Sequence, residues 1–291
     1  MRGTRILLIM AFVLFAIALV CSSCSSTDSQ GANAKTTVYE RVISTGTIRC
    51  GYVNVSVACD VDPQTGELTG TFPDIIREMA KNMGLEVEFV EEVGWGTMIA
   101  GLQTGRYDMM ASPVWPNSSR VRQTTFSIPA YYSAIGVWVR PDEDRFTPAG
   151  GWAALNDPGV KIGALDGSTG ETIAISQFPG AGLLTYPELA NEGQIFLDVT
   201  TGKVDVFFEE PAKGAIFLEN NPGQLKNIAD EIPVKVFPNV FMLPGGEYRF
   251  KEMIDTALVE LQNSGFVDRV LTAHEPAPGA YYRSALPYQS R

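Results

Sequence analysis

A chain of 291 residues is long enough for two modest domains, each with a core of its own. The formal charge is −11, and setting aside Arg2 and Arg5 of the amino-terminal leader leaves 20 basic against 33 acidic residues, which argues against nucleic acid or an anionic membrane as partner. The one histidine, His274, lies near the carboxyl end and argues against a histidine metal site or a Ser-His-Asp triad.

Met1 to Cys24 reads as a leader. Arg2 and Arg5 give it a positive start, and Ile6 to Val20 is an apolar run of fifteen, short for a membrane span and suited to a signal peptide. Residues 1–23 are thus expected to be a signal peptide and 24–37 a flexible Ser/Thr/Gly/Asn tether. In Cys21-Ser-Ser-Cys24 a bacterial lipidation box needs a small residue before the modified cysteine. Cys24 follows Ser23 and fits, whereas Cys21 follows Val20 and does not. Position 21 would be leucine in a standard box, so two readings stand: lipid on Cys24, or an ordinary cleaved signal. Cys50 and Cys59 remain in the exported part, an even pair in an oxidising compartment. Either they form a disulfide, or Cys50 is a core thiol in a strand.

Residues 38–44 read as a short helix and Thr47 to Val53 as the first strand. Pro63, Gly66 and Gly70 mark a hairpin or loop. Ile75, Ile76, Met79, Ala80 and Met83 recur at helical spacing until Gly84 ends the run, and Leu85, Val87 and Phe89 alternate with glutamates in a half-buried strand. Trp95, Met98, Ile99 and Leu102 share a helix face that closes at Gly105, and residues 107–111 read as a buried strand. This strand-helix order implies a parallel sheet.

Next comes Ser112-Pro-Val-Trp-Pro-Asn-Ser-Ser, a turn rich in caps, and then Arg120 in the first turn of a new helix. The helix dipole disfavours a cation there, so Arg120 is expected to point into a cleft and hold an anion; the plain alternative is a solvated arginine. Strands are expected over 134–140, 160–165, 183–186 and 204–208, with helices after Asp166-Gly-Ser-Thr-Gly-Glu171, over 188–201 and from Pro211. A return strand over 234–243 is expected to be interrupted by Pro238. Phe250, Met253, Ile254, Ala257, Leu258 and Leu261 mark a helix ending at Gly265. Ser168 and Thr169 sit at a helix start, where backbone N–H groups and hydroxyls can receive an anion or the serine can merely cap. Glu209 and Glu210 precede another helix, where the dipole alone favours acids.

Several of these stretches resemble the bacterial extracellular solute-binding proteins of family 3, the amino-acid-binding proteins of ABC importers. Asp108, Arg120 and Phe126-Ser-Ile-Pro-Ala-Tyr-Tyr132 keep the spacing of that family's "Gly-x-x-Asp", "Thr-Pro-Glu-Arg" and "Phe-Ser-x-Pro-Tyr-Tyr". The strand from Thr47, Gly70-Thr-Phe-Pro-Asp74, Gly167-Ser-Thr-Gly-Glu171 and Gly202-Lys-Val-Asp-Val-Phe-Phe-Glu-Glu210 resemble further family motifs in the right order. The resemblance implies an α/β fold of the type II periplasmic-binding-protein kind: two lobes, each a mostly parallel sheet flanked by helices, joined by two hinge crossings. Lobe 1 would be 38–132 plus 238–273, lobe 2 would be 133–237, and 274–291 a Pro- and Tyr-rich tail outside the family pattern.

By the same resemblance Arg120 would take a ligand carboxylate, through a guanidinium fork that lysine lacks. Ser112, Asn117 and Trp115 would line the site from the first lobe, and Ser168 and Thr169 from the second. Glu210 would stand where the family has the aspartate that binds an α-amine, with Glu209 next if the register slips. Asn117 replaces a threonine, Pro113 and Pro116 remove N–H donors, and Tyr52, Trp95 or Trp115 would supply an apolar wall. The implied function is a monomeric, exported, lipid-anchored binding protein that closes by hinge motion on a polar or acidic amino acid or related carboxylate. It would deliver this ligand to ABC importer membrane subunits, with no cofactor and no metal. The alternative is a dehydratase on the same scaffold acting on a prephenate-like acid, with Glu209 or Glu210 as general acid.

Overall fold

In the computed structural model, which describes residues 36–55, 57–147, 152–231, 233–277 and 280–284, one buried carboxylate shows how the first sheet is tied together. Asp108 has no exposed surface. It accepts from Arg49 N at 2.7 Å, Arg49 Nη2 at 3.0 Å and Arg41 Nε at 2.9 Å, and pairs a second time with Arg41 through Nη2. Arg41 lies in α1 (Val38–Thr45), Arg49 in β1 (Thr47–Tyr52), and Asp108 just ahead of β5 (Met109–Met110), so three segments meet on it. The expected leader, Cys24, the tether through residue 35 and residues 285–291 lie outside the described residues.

In the first lobe β1 sits between β4 (Glu86–Glu92) and β5, parallel to both. The hairpin β2 (Asp60–Val61) and β3 (Leu68–Thr69) leads to α2 (Thr71–Asn82), which buries Phe72, Ile75, Ile76 and Met79. Gly70, at φ 116°, permits this: a Cβ there would stand 2.7 Å from Val57 O. α3 (Met98–Thr104) ends at Gly105, which is left-handed, as its sequence implies. β6 (Thr124–Phe126) pairs with β14 (Met242–Pro244).

The second lobe is a five-stranded sheet of β8 (Gly136–Val139), β9 (Lys161–Leu165), β10 (Gly182–Tyr186), β11 (Val206–Glu209) and β12 (Lys226–Asn227), in the order β10-β9-β11-β8-β12. β10, β9 and β11 run parallel, while β8 is antiparallel to both its neighbours. The helices are α4 (Thr169–Gln177), α5 (Glu192–Thr200) and α6 (Pro211–Asn220). The helix expected from residue 188 begins only at Glu192, because Asn191 caps it by accepting from Gly193 N at 2.7 Å. Glu188 is left in the loop, facing the first lobe.

Two strands join the lobes, β7 (Tyr131–Ala134) and the antiparallel β13 (Val236–Asn239). The expected break at Pro238 does not occur. Pro238 sits inside β13, an edge strand where its missing N–H costs no ladder bond. The break falls after Asn239, where Val240 bridges to Val114 instead. α7 (Tyr248–Asn263) and α8 (Phe266–His274) complete the first lobe, α8 being a helix that its sequence pattern does not announce.

Cys50 and Cys59 are both free thiols and both buried, so the bridge held open as one reading is not made here. Cys50 points into the core under α2, whereas Cys59 lies at the far side of the loop, bridged to Val55 and beside the Ser112 hydroxyl.

The chain beyond α8 folds back onto the hinge. β15 (Tyr282–Arg283) pairs with β7 on the side opposite β13. Tyr281 is 2% exposed, with its ring 4.7 Å from that of Tyr131. Arg283 donates to Asp268 at 3.0 Å and to Glu275 at 2.8 Å. Tyr281→Ala should therefore destabilise the protein by about 3 kcal/mol, the usual cost of emptying an aromatic site in a core. A chemical denaturation curve superposable on wild type would show that this segment is not part of the cooperative fold.

Candidate functional site

The turn after β5 is organised by its own side chains. Asn117 Oδ1 accepts from Ser119 N at 3.0 Å and Arg120 N at 2.8 Å, and this starts a single 3₁₀ turn over Arg120–Arg122. The Ser112 hydroxyl accepts from Val53 N at 2.8 Å and donates to Val53 O at 2.9 Å, fastening the turn to the end of β1. Trp115 stacks on Phe237 of β13, with centroids 4.8 Å apart and planes at 10°, and its Nε1 donates to Asn239 Oδ1 at 2.7 Å.

This scaffold turns Arg120 inward until it is 7% exposed. Nη1 donates to Trp115 O at 2.8 Å and Nη2 to Gly167 O, in the second lobe, at 3.3 Å. A guanidinium carries five N–H donors, so these two carbonyls do not saturate it. Among the described residues it has no carboxylate partner, and burial pulls its pKa down to about 10.

The facing wall comes from the second lobe. Ser168 caps α4, its hydroxyl accepting from Glu171 N at 3.1 Å, and Thr169 is the first helical residue. Glu209 ends β11 and Glu210 precedes α6, where Pro211 takes the first helical position. Both are buried, at 8% and 7% exposure. Glu209 Oε1 accepts from Glu210 N at 2.8 Å and lies 3.2 Å from Lys213 Nζ. Lys213 is nearer Glu192 Oε1, at 2.6 Å, so one ammonium serves two carboxylates. Glu210 Oε1 accepts from Ser133 Oγ at 2.9 Å. Burial pushes Glu209 up to about 8, with Lys213 opposing, and raises Glu210 against Lys213 and Ser133.

Between the walls lies a narrow cleft. Of the residues singled out by sequence, Trp115, Arg120, Ser168, Thr169, Glu209 and Glu210 line it together, and Trp95 joins them. Ser112 and Asn117 are not among the residues lining it: the Ser112 hydroxyl and Asn117 Oδ1 are engaged by backbone groups that hold the turn carrying Arg120. Lys213 and Glu192 line the cleft without having been singled out. Lys213 could have been found, since it stands one helical turn beyond Glu209. Glu192 comes from another helix and leaves no local signal. A wider groove continues outward from Trp95, Glu192 and Lys213, past Asp60, Glu92 and Glu188. Among the described residues no cluster of His, Cys, Asp and Glu could hold a metal ion, and no helix is long and apolar enough to cross a membrane.

Comparison with known proteins places this cleft in context. The sequence profile of bacterial extracellular solute-binding proteins, family 3, matches residues 48–274. The probable ABC transporter extracellular-binding protein YckB of Bacillus subtilis is 28% identical over 224 residues, 76% of this chain and 74% of that one. A probable amino-acid ABC transporter-binding protein of Haemophilus influenzae is 33% identical over 108 residues, 37% of this chain and 41% of its own length. Among solved structures, an ancestral amino acid-binding protein described as a precursor of cyclohexadienyl dehydratase matches with a TM-score of 0.69 at 23% identity. That match covers 82% of this chain and 99% of the other, and it shows a common fold. The chain belongs to the bacterial extracellular solute-binding proteins, family 3, and has their two-lobe type II architecture.

The carboxyl of Glu209 gives the site a pH signature. With a folded pKa of about 8 against an ordinary 4.5, the folded protein keeps a proton that the unfolded chain has released. Stability therefore declines as pH rises from about 4.5 to about 8. Glu209→Gln should remove that decline, so wild type should lose melting temperature relative to the variant between pH 5 and pH 8.5. Parallel profiles would mean that Glu209 is ionised throughout.

Proposed function

We propose that the protein binds an amino acid, or a closely related small carboxylate bearing an amine, between its lobes and hands it to the membrane subunits of an ABC importer. The observation that carries this reading is Arg120: a buried guanidinium, on the cleft, with N–H groups to spare and no carboxylate of its own. A ligand carboxylate completes it through two parallel charge-assisted bonds. Across the cleft Glu209 and Glu192 share Lys213, and Glu210, bonded to Ser133, is left to meet a ligand ammonium. Ser168 and Thr169 offer the ligand a helix start. Hinge motion about β7 and β13 closes the site, ligand contacts from both lobes shifting the population to the closed form. The amino-acid class also agrees with the Haemophilus influenzae relative, a probable amino-acid ABC transporter-binding protein.

In this reading Arg120→Ala and Glu210→Ala each cost roughly 2–5 kcal/mol of binding, because each leaves a buried ligand charge unpaired. Arg120→Lys does not rescue, since an ammonium lacks the planar fork. Glu210→Ala weakens binding of the amino acid but spares its deaminated analogue. Titration calorimetry on the compound that co-purifies, identified by mass spectrometry, measures all three. Near-wild-type affinity in Arg120→Ala removes the site, and an unchanged preference for the amine in Glu210→Ala moves that role to Glu209.

A second reading rests on Glu209, whose burial keeps it protonated near neutral pH and able to act as a general acid on a prephenate-like substrate. Turnover of that substrate, lost in Glu209→Gln, would favour the enzyme over the carrier.

Export and anchoring are part of the same proposal: the protein works outside the cytoplasmic membrane as a monomer, tethered by lipid on Cys24, as the Ser22-Ser23-Cys24 run suggests. Cys24→Ser should release it from the membrane fraction. A variant that stays bound, or a wild type already soluble, rejects the anchor.

A further inference from the structure

Away from the hinge and from Arg120, the lobes meet at a second polar contact. Gly96 N, in the loop between β4 and α3, donates to Glu188 Oε2 in the second lobe at 3.0 Å. The fit depends on missing side chains. A Cβ on Gly94 would lie 2.2 Å from Glu188 Cδ, and one on Gly96 would lie 2.9 Å from its Oε2. In the second lobe, a Cβ on Gly167 would lie 2.7 Å from Gly96 N, so backbone meets backbone there. Gly94 and Gly96 are absent from the left-handed positions, so their backbone conformation does not call for glycine. The carboxylate seated on them does. Trp95 between them lines the cleft, and Glu188 lines the groove leading to it.

We propose that Gly94, Gly96 and Glu188 form a closure latch: a contact between the lobes, outside the ligand, that holds the closed form shut and so sets how long a bound amino acid stays. The latch rests on the reading that the cleft closes on such a ligand. Its contact joins residues of different lobes and is broken when they part. Its free energy therefore adds to binding by mass action, although none of its atoms need touch the ligand. Because the contact forms at closure, it acts on the dissociation rate and leaves the encounter rate alone. Glu188 is a positioning residue in this scheme, acting through the lobe that carries it.

Gly94→Ala and Glu188→Ala should remove the same contact. An alanine at 94 displaces only the flexible end of Glu188, so it costs the carboxylate its seat and leaves each lobe intact. Each variant should raise the dissociation rate about five- to tenfold, the range for losing one charge-assisted hydrogen bond at a half-exposed site. The double variant should be no worse than either single one, because there is one contact to lose. The probe is the proteinogenic L-amino acid that raises the wild-type melting temperature most, followed by stopped-flow association and dissociation. Spin labels at Thr104 and Ser176, exposed on opposite lobes, report the interlobe distance in parallel. Expected are unchanged association rates, unchanged melting without probe, and a longer distance in the variants at equal probe concentration. Wild-type dissociation rates and distances in Gly94→Ala, or additive losses in the double variant, overturn the latch. Arg120→Ala, run beside them, keeps the two readings apart. Lost binding there with wild-type behaviour in Gly94→Ala rejects the latch alone, and retained binding there rejects the Arg120 site alone.

Discussion

Removing a guanidinium from water without a counter-charge is expensive, and the site is built around that constraint. Arg120 can be buried only because carbonyl oxygens are brought to it: Trp115 O from its own turn and Gly167 O from the opposite lobe. Each of those oxygens needs its own support. Trp115 is held flat on Phe237, and the turn that carries it is fastened by Ser112 to β1 and wound by Asn117. Arg120 thus also ties the two lobes together, since one of its acceptors comes from the opposite lobe.

A second chain of contacts runs through the hinge. Trp115 Nε1 donates to Asn239 Oδ1, Asn239 Nδ2 donates to Ser133 Oγ at 2.8 Å, and Ser133 Oγ donates to Glu210. Asn239 and Ser133 are fully buried, so each has little choice of partner. Asn239 lies on β13 and Ser133 on β7, the two strands that join the lobes. The turn that aims Arg120 and the carboxylate expected to meet the ligand amine are therefore linked through the crossings themselves. The carboxyl-terminal strand packs against β7 from its other side, so the hinge is a three-stranded ribbon.

What the sequence made legible was local. Glycine stops, caps and apolar periodicity located most helices and strands, because these are properties of a few adjacent residues. Arg120 could be singled out since a cation in a helix's first turn needs a reason, and Glu209 and Glu210 followed from their register with Gly202. The misses share one cause: they depend on residues far apart in the chain. Ser112 and Asn117 are polar and in the right turn, yet only the path of the backbone shows the Ser112 hydroxyl and Asn117 Oδ1 bonded to backbone groups. Cys50 and Cys59 look pairable on paper, but the side chains take separate environments. Pro238 reads as a strand break, and its tolerance depends on β13 being an edge. Tyr281 and Arg283 gave no periodic signal, because a two-residue strand has none to give.

The charges of the cleft can be read together. Arg120 and Lys213 stand against Glu192, Glu209 and Glu210, and Lys213 is engaged by Glu192 at the shorter distance. If all three carboxylates were ionised, the wall of the second lobe would carry one ammonium against three anions in a place shielded from water. Burial resolves part of this by letting Glu209 keep a proton, which is why its pKa moves toward neutrality while its neighbour's Ser133 bond opposes the same shift. In the proposed binding mode a ligand ammonium beside Glu210 supplies the missing positive charge, and its carboxylate meets Arg120 on the other side. In the same reading the groove outside, lined by Asp60 and Glu92, favours approach of the same end of the molecule. On the proposed reading a zwitterion matches both walls at once, whereas a simple dicarboxylate would satisfy Arg120 and be repelled by the glutamates.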